Sequence, residues 1–313
     1  MLHNSSPDWF RLDGPGEKLF FDLMKIKRSV FLVAVLACLA VLAASGQKAA
    51  ETGNSPQPVS LYDRVMKSGK IRAAYTIYPP GCFKDENGKL KGVFVETLEE
   101  AAKNLGLTVE WTEAVGREEQ VKGLDNGRYD MIGSAVWANP ERAKLATLSR
   151  PLYYSPFYIY ARKDDPKFNE NIRLAALDSP DVRIAMVAGS TAEAIAKDQF
   201  PSATRVALPR MTDHEGSFLH ATNNPADIII MEKSQAMKLL ESNPGTIVNI
   251  RPSVPLRVIG NCYMFKRNEL EFQNMLNSEI NDLLTSGFVE RELEKYEKYP
   301  NSQLRIAPPY LQD

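Results

Sequence analysis

The first pattern along the chain is one unbroken apolar run, Val30 to Ala44 (VFLVAVLACLAVLAA), set between Lys25, Lys27 and Arg28 and the small, polar Ser45-Gly46-Gln47. Basic residues, a short apolar run and a small polar exit form the layout of a secretory signal. The run is short of the roughly 20 residues that a membrane span needs. Residues 24–46 are therefore expected to act as a signal peptide for export to the periplasm, with an uncleaved membrane anchor as the alternative. Met24 begins a conventional signal by itself, so residues 1–23 read as an over-extended start, and cleavage is expected between Ala44 and Ala50. Val35-Leu36-Ala37-Cys38 loosely resembles a lipoprotein box, but it would cut the apolar region in half.

After a polar linker (residues 47–59), the pattern alternates between the periods of helix and strand. A short helix over Leu61 to Lys67 is expected to end at Gly69. A strand from Ile71 to Thr76 leads into the irregular loop Ile77 to Phe83 and a turn at Asp85 to Gly88. Val95, Leu98, Ala101, Ala102 and Leu105 have helical spacing closed by Gly106, and Leu107 to Thr112 reads as the next strand. Arg117 to Leu124 predicts a helix, and Tyr129 to Ala135 a strand running into Asn139-Pro140-Glu141, a helix start with a good N-cap and Pro at the first position. Pro151 to Ala161 is aromatic-rich and strand-like. A second α/β run follows: strands at Val182 to Val187, Thr204 to Leu208, Asp227 to Met231 and Thr246 to Ile250, and helices from Ser190 to Gln199, His214 to Thr222 and Lys233 to Glu241. Arg257 to Phe265 reads as a strand, and the C-terminal part as helices over Glu269 to Leu284 and Phe288 to Tyr296. No internal sequence repeat is evident.

At 313 residues the chain is long enough for one large or two medium domains. Its 38 Lys and Arg balance 39 Asp and Glu, and no basic stripe with interleaved aromatics is present, so nucleic acid is not expected as a partner. Three histidines and three cysteines form no cluster with metal-ligand spacing, so neither a metal nor another cofactor is expected. If Cys38 leaves with the signal, Cys82 and Cys262 remain in an oxidising compartment, either as a disulfide or as two reduced thiols.

In α/β folds with parallel strands, ligands sit at the carboxyl ends of the strands. Tyr78 and Arg142 lie just past two such ends. Arg142 is the anomaly: a cation in the first helical turn opposes the helix dipole, so an anion that collects both the guanidinium and free N–H groups is the working expectation. A surface arginine paired with Glu141 or with a residue of a neighbouring lobe is the plain alternative.

Four segments carry a family resemblance: Tyr78-Pro79-Pro80 through Asn87 to Gly92; Asn126-Gly127-Arg128-Tyr129-Asp130; Pro140-Glu141-Arg142 through Leu148 to Tyr153; and Gly189-Ser190-Thr191. Their order and spacing resemble extracellular solute-binding proteins of family 3, the polar-amino-acid receptors of ABC importers. The resemblance covers nearly all of Leu61 to Lys298. It implies a two-lobed periplasmic-binding-protein (type II) fold, each lobe an α/β sheet flanked by helices, with two crossover strands as hinge. Lobe 1 would comprise residues 60–156 and 260–313, and lobe 2 residues 157–259.

By position, Arg142 is similar to the arginine that binds the ligand carboxylate. Ser190 and Thr191 match the second-lobe helix N-terminus, Tyr78 an aromatic wall, and Glu232 the acidic residue that receives the α-ammonium. Thr191 as a simple cap, Tyr78 as packing beside the prolines and Glu232 as a first-turn carboxylate are the plain alternatives. The chain departs from the family at Gly81, Phe94, Ala135 and Trp137. Ala135 and Trp137 make the expected pocket more apolar, and Trp137 either stacks on the ligand or fills space opened by Gly81. The resemblance implies a monomeric periplasmic receptor that hands a small carboxylate-bearing solute, such as an amino acid, to an ABC permease, without enzymatic activity. A cyclohexadienyl-dehydratase-like enzyme and a sensor module without transport are the rivals. The acid of such an enzyme falls near Gln235, which cannot donate a proton in that role.

Overall fold

The computed structural model describes residues 59–169, 172–209, 216, 218, 223 and 225–306. The signal-like run, nearly all of the linker, Cys38 and most of the helix expected at His214 to Thr222 lie outside the described residues.

Local chemistry accounts for the first elements. Helix α1 (Leu61–Ser68) is capped by Ser60, which accepts from the Asp63 amide, and closed by Gly69 at φ 68°, whose N–H donates to the Val65 carbonyl. Strand β1 (Lys70–Tyr75) follows, then the hairpin β2 (Phe83–Lys84) and β3 (Leu90–Lys91) around the expected turn. Helix α2 (Val93–Asn104) turns Val93, Phe94, Leu98, Ala101 and Ala102 into the core and hands over to β4 (Thr108–Ala114). The next helix, α3 (Gln120–Asp125), starts three residues later than its apolar pattern predicts. Strand β5 (Met131–Trp137) carries the chain to α4 (Pro140–Leu145), where Asn139 caps by accepting from the Arg142 amide at 2.8 Å. Strands β6 (Thr147–Leu148) and β7 (Tyr153–Arg162) complete this part.

The second run is β8 (Arg183–Val187), α5 (Thr191–Gln199), β9 (Thr204–Leu208), β10 (Ile228–Glu232), α6 (Lys233–Ser242) and β11 (Ile247–Asn249). It returns through β12 (Arg257–Phe265) to α7 (Leu270–Thr285) and α8 (Phe288–Tyr296).

The two lobe sheets join edge to edge into one ten-stranded sheet, in the order β4-β1-β5-β12-β7-β10-β8-β9, with β6 on β12 and β11 on β7. β7 and β12 are the crossover strands. Tyr153 to Phe157 of β7 pair antiparallel with Asn261 to Arg257 of β12, and from Phe157 onward β7 pairs with β10. Beyond Asn261, β12 leaves β7 and pairs with β5. Core membership changes along the same strands. Tyr153, Tyr263 and Phe265 pack with α2, α7 and α8, whereas Phe157, Ile159 and Ala161 pack with β8 and α5. Burying each apolar face against its own helices is what makes two cores rather than one.

The two parts share a construction that the sequence does not display. Asp130, just before β5, accepts from the Arg72 amide at 2.6 Å and from the Arg72 Nη2 at 2.8 Å. Asp227, just before β10, accepts from the Arg183 amide at 2.8 Å and the Arg183 Nη2 at 2.8 Å. Each Asp returns its own N–H to the carbonyl of the same arginine. In both places a buried carboxylate thus ties the start of one parallel strand to its neighbour.

Gly92 is fixed by its neighbours. Its φ is 121°, and a Cβ there would lie 2.6 Å from the carbonyl oxygens of both Pro80 and Gly81. These are backbone atoms of the loop that carries Tyr78, so they cannot swing aside. Gly92→Ala is expected to cost about 1–3 kcal/mol from the backbone strain alone, read as a lower midpoint in urea denaturation; an unchanged midpoint would show that this loop is free to move.

Candidate functional site

Three neighbouring parallel strands, β4, β1 and β5, point their carboxyl ends at one cleft. Beyond β4 the chain delivers Arg117. Past the end of β1 come Thr76 and Tyr78, and β5 contributes Ala135, Val136 and Trp137 before Arg142 arrives on α4. With Gln120 these line a small, partly open cavity of about 30 Å³.

Trp137 organises this cavity. Its ring meets Tyr78 edge-on at 5.9 Å and Phe157 edge-on at 5.2 Å, so one indole spans from the β1 loop to the second core. Its carbonyl accepts from the Arg142 Nη1 at 2.8 Å. The Arg117 guanidinium lies over its ring face, 5.9 Å from the centroid, within the range of a cation–π contact. Two cations are therefore held by one residue. Arg142 is half-buried and Arg117 exposed at the mouth. Burial, and next the charge of Arg117, pull the Arg142 pKa below its ordinary value. Among the described residues neither guanidinium forms an ion pair with a carboxylate, and Arg142 does not pair with Glu141.

The polar floor is internally satisfied. Gln120, which is buried, donates to the Thr76 hydroxyl at 3.0 Å, and that hydroxyl donates to the Val115 carbonyl at 2.7 Å. The Thr76 amide donates to Ser134 Oγ at 2.9 Å. Across the cleft, Gln235 on α6 donates to the Tyr78 hydroxyl at 2.8 Å. Burial above all, then the negative charge of Glu232, raises the Tyr78 pKa well above its ordinary value, so this phenol stays neutral.

Tyr78, Ala135, Trp137 and Arg142 are thus brought together around one cavity. Ser190, Thr191 and Glu232 are not among the lining residues. Ser190 caps α5 by accepting from the Glu193 amide, while Glu193 takes the Gly189 amide at 2.7 Å and pairs with Lys197 at 2.9 Å. Glu232 is completely buried behind Tyr78. One of its oxygens accepts from Ser234 Oγ at 2.5 Å and the Gln235 amide at 3.1 Å, capping α6, and the other accepts from Gln303 at 3.0 Å. Burial raises its pKa against the pull of these bonds. Its carboxylate is committed to the fold, and it acts on the cleft by holding the α6 turn that presents Gln235.

Arg117 was missed because it falls at the start of an apolar pattern that reads as helix. The helix begins only at Gln120, which leaves Arg117 in the loop after β4. The same rule about strand ends that singles out Tyr78 and Arg142 would have found it.

The room that Gly81 leaves is taken by Tyr153, Ala135 and Phe94, whose atoms lie 3.1 to 3.3 Å from where a Cβ would sit. Of the two readings of Trp137, filling that room is not the one the geometry favours. Cys82 and Cys262 are free and buried, and burial pushes both thiols up to about 12. Among the described residues no group of three or more His, Cys, Asp or Glu is placed to hold a metal, and no helix is long and apolar enough to cross a membrane.

A cleft at converging strand ends, between two α/β cores joined by two crossover strands, defines a periplasmic-binding-protein fold. Residues 71–299 match the model of the bacterial extracellular solute-binding proteins, family 3, and the chain belongs to that family. A probable histidine-binding protein of Campylobacter jejuni is 26% identical over 222 residues, 70% of this chain and 81% of the relative. A cyclohexadienyl dehydratase of Pseudomonas aeruginosa is 24% identical over 275 residues, 86% of this chain and 94% of the enzyme. The crystal structure of an ancestral amino acid-binding protein, described as a precursor of cyclohexadienyl dehydratase, aligns with a TM-score of 0.57 at 24% identity, covering 77% of this chain and all of that one.

Proposed function

We propose that this protein is a periplasmic receptor that captures an amino acid or a related small carboxylate between its lobes and delivers it to an ABC permease, with no chemical step. The observation that carries this reading is Arg142: a half-buried cation without a carboxylate partner among the described residues, held at the head of a cleft by the Trp137 carbonyl. A ligand carboxylate supplies the missing charge, and Trp137 and Tyr78 supply apolar walls. Lobe 1 is proposed to comprise residues 60–156 and 260–313, and lobe 2 residues 157–259. Closure brings lobe-2 groups to the ligand, with the amides of Ser190 and Thr191 the proposed partners from α5. The bound solute favours the closed form because only there does it contact both lobes.

The similarity to a cyclohexadienyl dehydratase keeps one second reading in view, an elimination assisted by a general acid. Among the described residues the cleft lining contains no Asp or Glu, and Gln235 and Tyr78, which meet across it, are both unsuited to donating a proton at neutral pH. That supports binding without catalysis. A thermal-shift screen of amino acids and small carboxylates tests the proposal. A true ligand at about 100 times its dissociation constant adds about 2.7 kcal/mol of stability and raises the melting temperature visibly. Product formation from prephenate or arogenate above background would replace the receptor reading with the enzymatic one.

A further inference from the structure

The cleft holds two cations where a receptor for a zwitterion needs one cation and one anion. Arg142 and Arg117 are both anchored on Trp137, one through its carbonyl at 2.8 Å and the other over its ring at 5.9 Å. Arg142 spends one N–H on that carbonyl and Arg117 makes no hydrogen bond to a described residue, so most of their ten guanidinium donors remain for a ligand. Glu232, which the family resemblance matches to the acid that receives an α-ammonium, is buried off the cavity lining and has both oxygens engaged by Ser234, Gln235 and Gln303. Among the described residues no carboxylate lines the cavity. The nearest acidic neighbours in sequence do not compensate: Glu119 lies 3.9 Å from Lys122 and from Arg128, and Glu118 and Glu141 are exposed.

We propose that the solute is a small dianion, two carboxylates on a short carbon chain, with one carboxylate on Arg142 and the second on Arg117. This rests on the receptor reading above and narrows its ligand. Arg117 then sets specificity. A second carboxylate meets a cation, an uncharged amide in its place leaves that cation without a partner, and a cationic side chain is repelled by it. The rim position of Arg117 tempers the size of the effect, because a charge exposed to water is screened. A preference of about tenfold, rather than a thousandfold, is what a partly exposed pair supports.

The test uses two isosteric pairs, glutamate against glutamine and succinate against succinamate, titrated calorimetrically into the mature wild-type protein and into Arg117→Gln. In the wild type the dicarboxylate of at least one pair, succinate above all because it carries no ammonium, is expected to bind about tenfold more tightly than its amide. In Arg117→Gln that ratio is expected to collapse toward one. Arg117 is exposed and contributes no bond to the core, so the variant is expected to melt with the wild type. Tighter binding of an amide, or of lysine or leucine used as further probes, overturns the dianion proposal and leaves the receptor intact. An unchanged ratio in Arg117→Gln overturns the role of Arg117. No binding by any of the probes overturns the dianion proposal, and if the broader thermal screen is also silent the receptor reading falls with it.

Discussion

Arg142→Ala is expected to weaken binding of the true ligand by about 2–5 kcal/mol, because the ligand carboxylate would be desolvated with no cation to meet it. The loss is expected mainly in the dissociation rate, as for other charge pairs that are shielded once bound. Two features separate this from a general loss of structure. The Arg142 guanidinium makes one hydrogen bond, to the Trp137 carbonyl, and the side chain is half-buried in a short helix with no buried residue. The cap of that helix uses the Arg142 backbone amide, which alanine keeps. The variant should therefore unfold close to the wild-type midpoint while its titration signal falls. Arg142→Lys tests the geometry: an ammonium restores the charge without the planar fork, and recovery of only part of the affinity is expected. Wild-type affinity in Arg142→Ala would remove the residue from the site.

How far the site could be read from the sequence depended on whether a residue broke a local rule. Arg142 broke one, as a cation at the positive end of a helix, and it was visible. Arg117 broke none. It stood where an apolar repeat allowed a helix, and only the late start at Gln120 put it in the loop beside Trp137. Glu232 was visible as an acid at a strand end, but its task was hidden. Helix caps are usually Ser, Thr, Asp or Asn, and nothing local signals that a Glu will fold back onto the Gln235 amide while Gln303, 71 residues away, takes its other oxygen.

The fold was legible for the opposite reason. Capping residues, turn glycines and the two apolar periods agreed with one another along most of the chain, and agreement between local preferences is what a folded sequence requires. The repeated Arg–Asp lock escaped because it consists of two side chains and a set of backbone hydrogen bonds. Around Asp130 the sequence reads Arg128-Tyr129-Asp130-Met131, and around Asp227 it reads Pro225-Ala226-Asp227-Ile228. What the two places share is position at the entry to a parallel strand.

That lock is where the largest loss of stability is expected. Asp227→Ala should cost about 3–5 kcal/mol, the range for removing one partner of a buried ion pair. The Asp227 side chain is sealed from water and answers to three cations: Arg183 at 2.8 Å, Arg162 at 3.7 Å and Lys167 at 3.7 Å. Its loss also leaves the Arg183 amide, at the first residue of β8, without its acceptor. The guanidinium of Arg183 reaches solvent, which places the cost toward the lower end of the range. Acid titration gives the same contact a second signature. Burial by itself would raise the Asp227 pKa, but the hydrogen bonds and charge of Arg183, helped by Lys167, outweigh it and hold the carboxyl below its ordinary value. A carboxyl whose folded pKa is depressed contributes its full stability above the unfolded value and loses it as pH falls through the folded one. Wild-type stability should therefore decline from the ordinary aspartate range downward, and Asp227→Asn, which keeps the shape and removes the titration, should decline less steeply there while starting from a lower value at pH 7. Urea midpoints for the two proteins at pH 7 and pH 3.5 measure both effects, and parallel declines would show that Asp227 carries no more than a surface charge does.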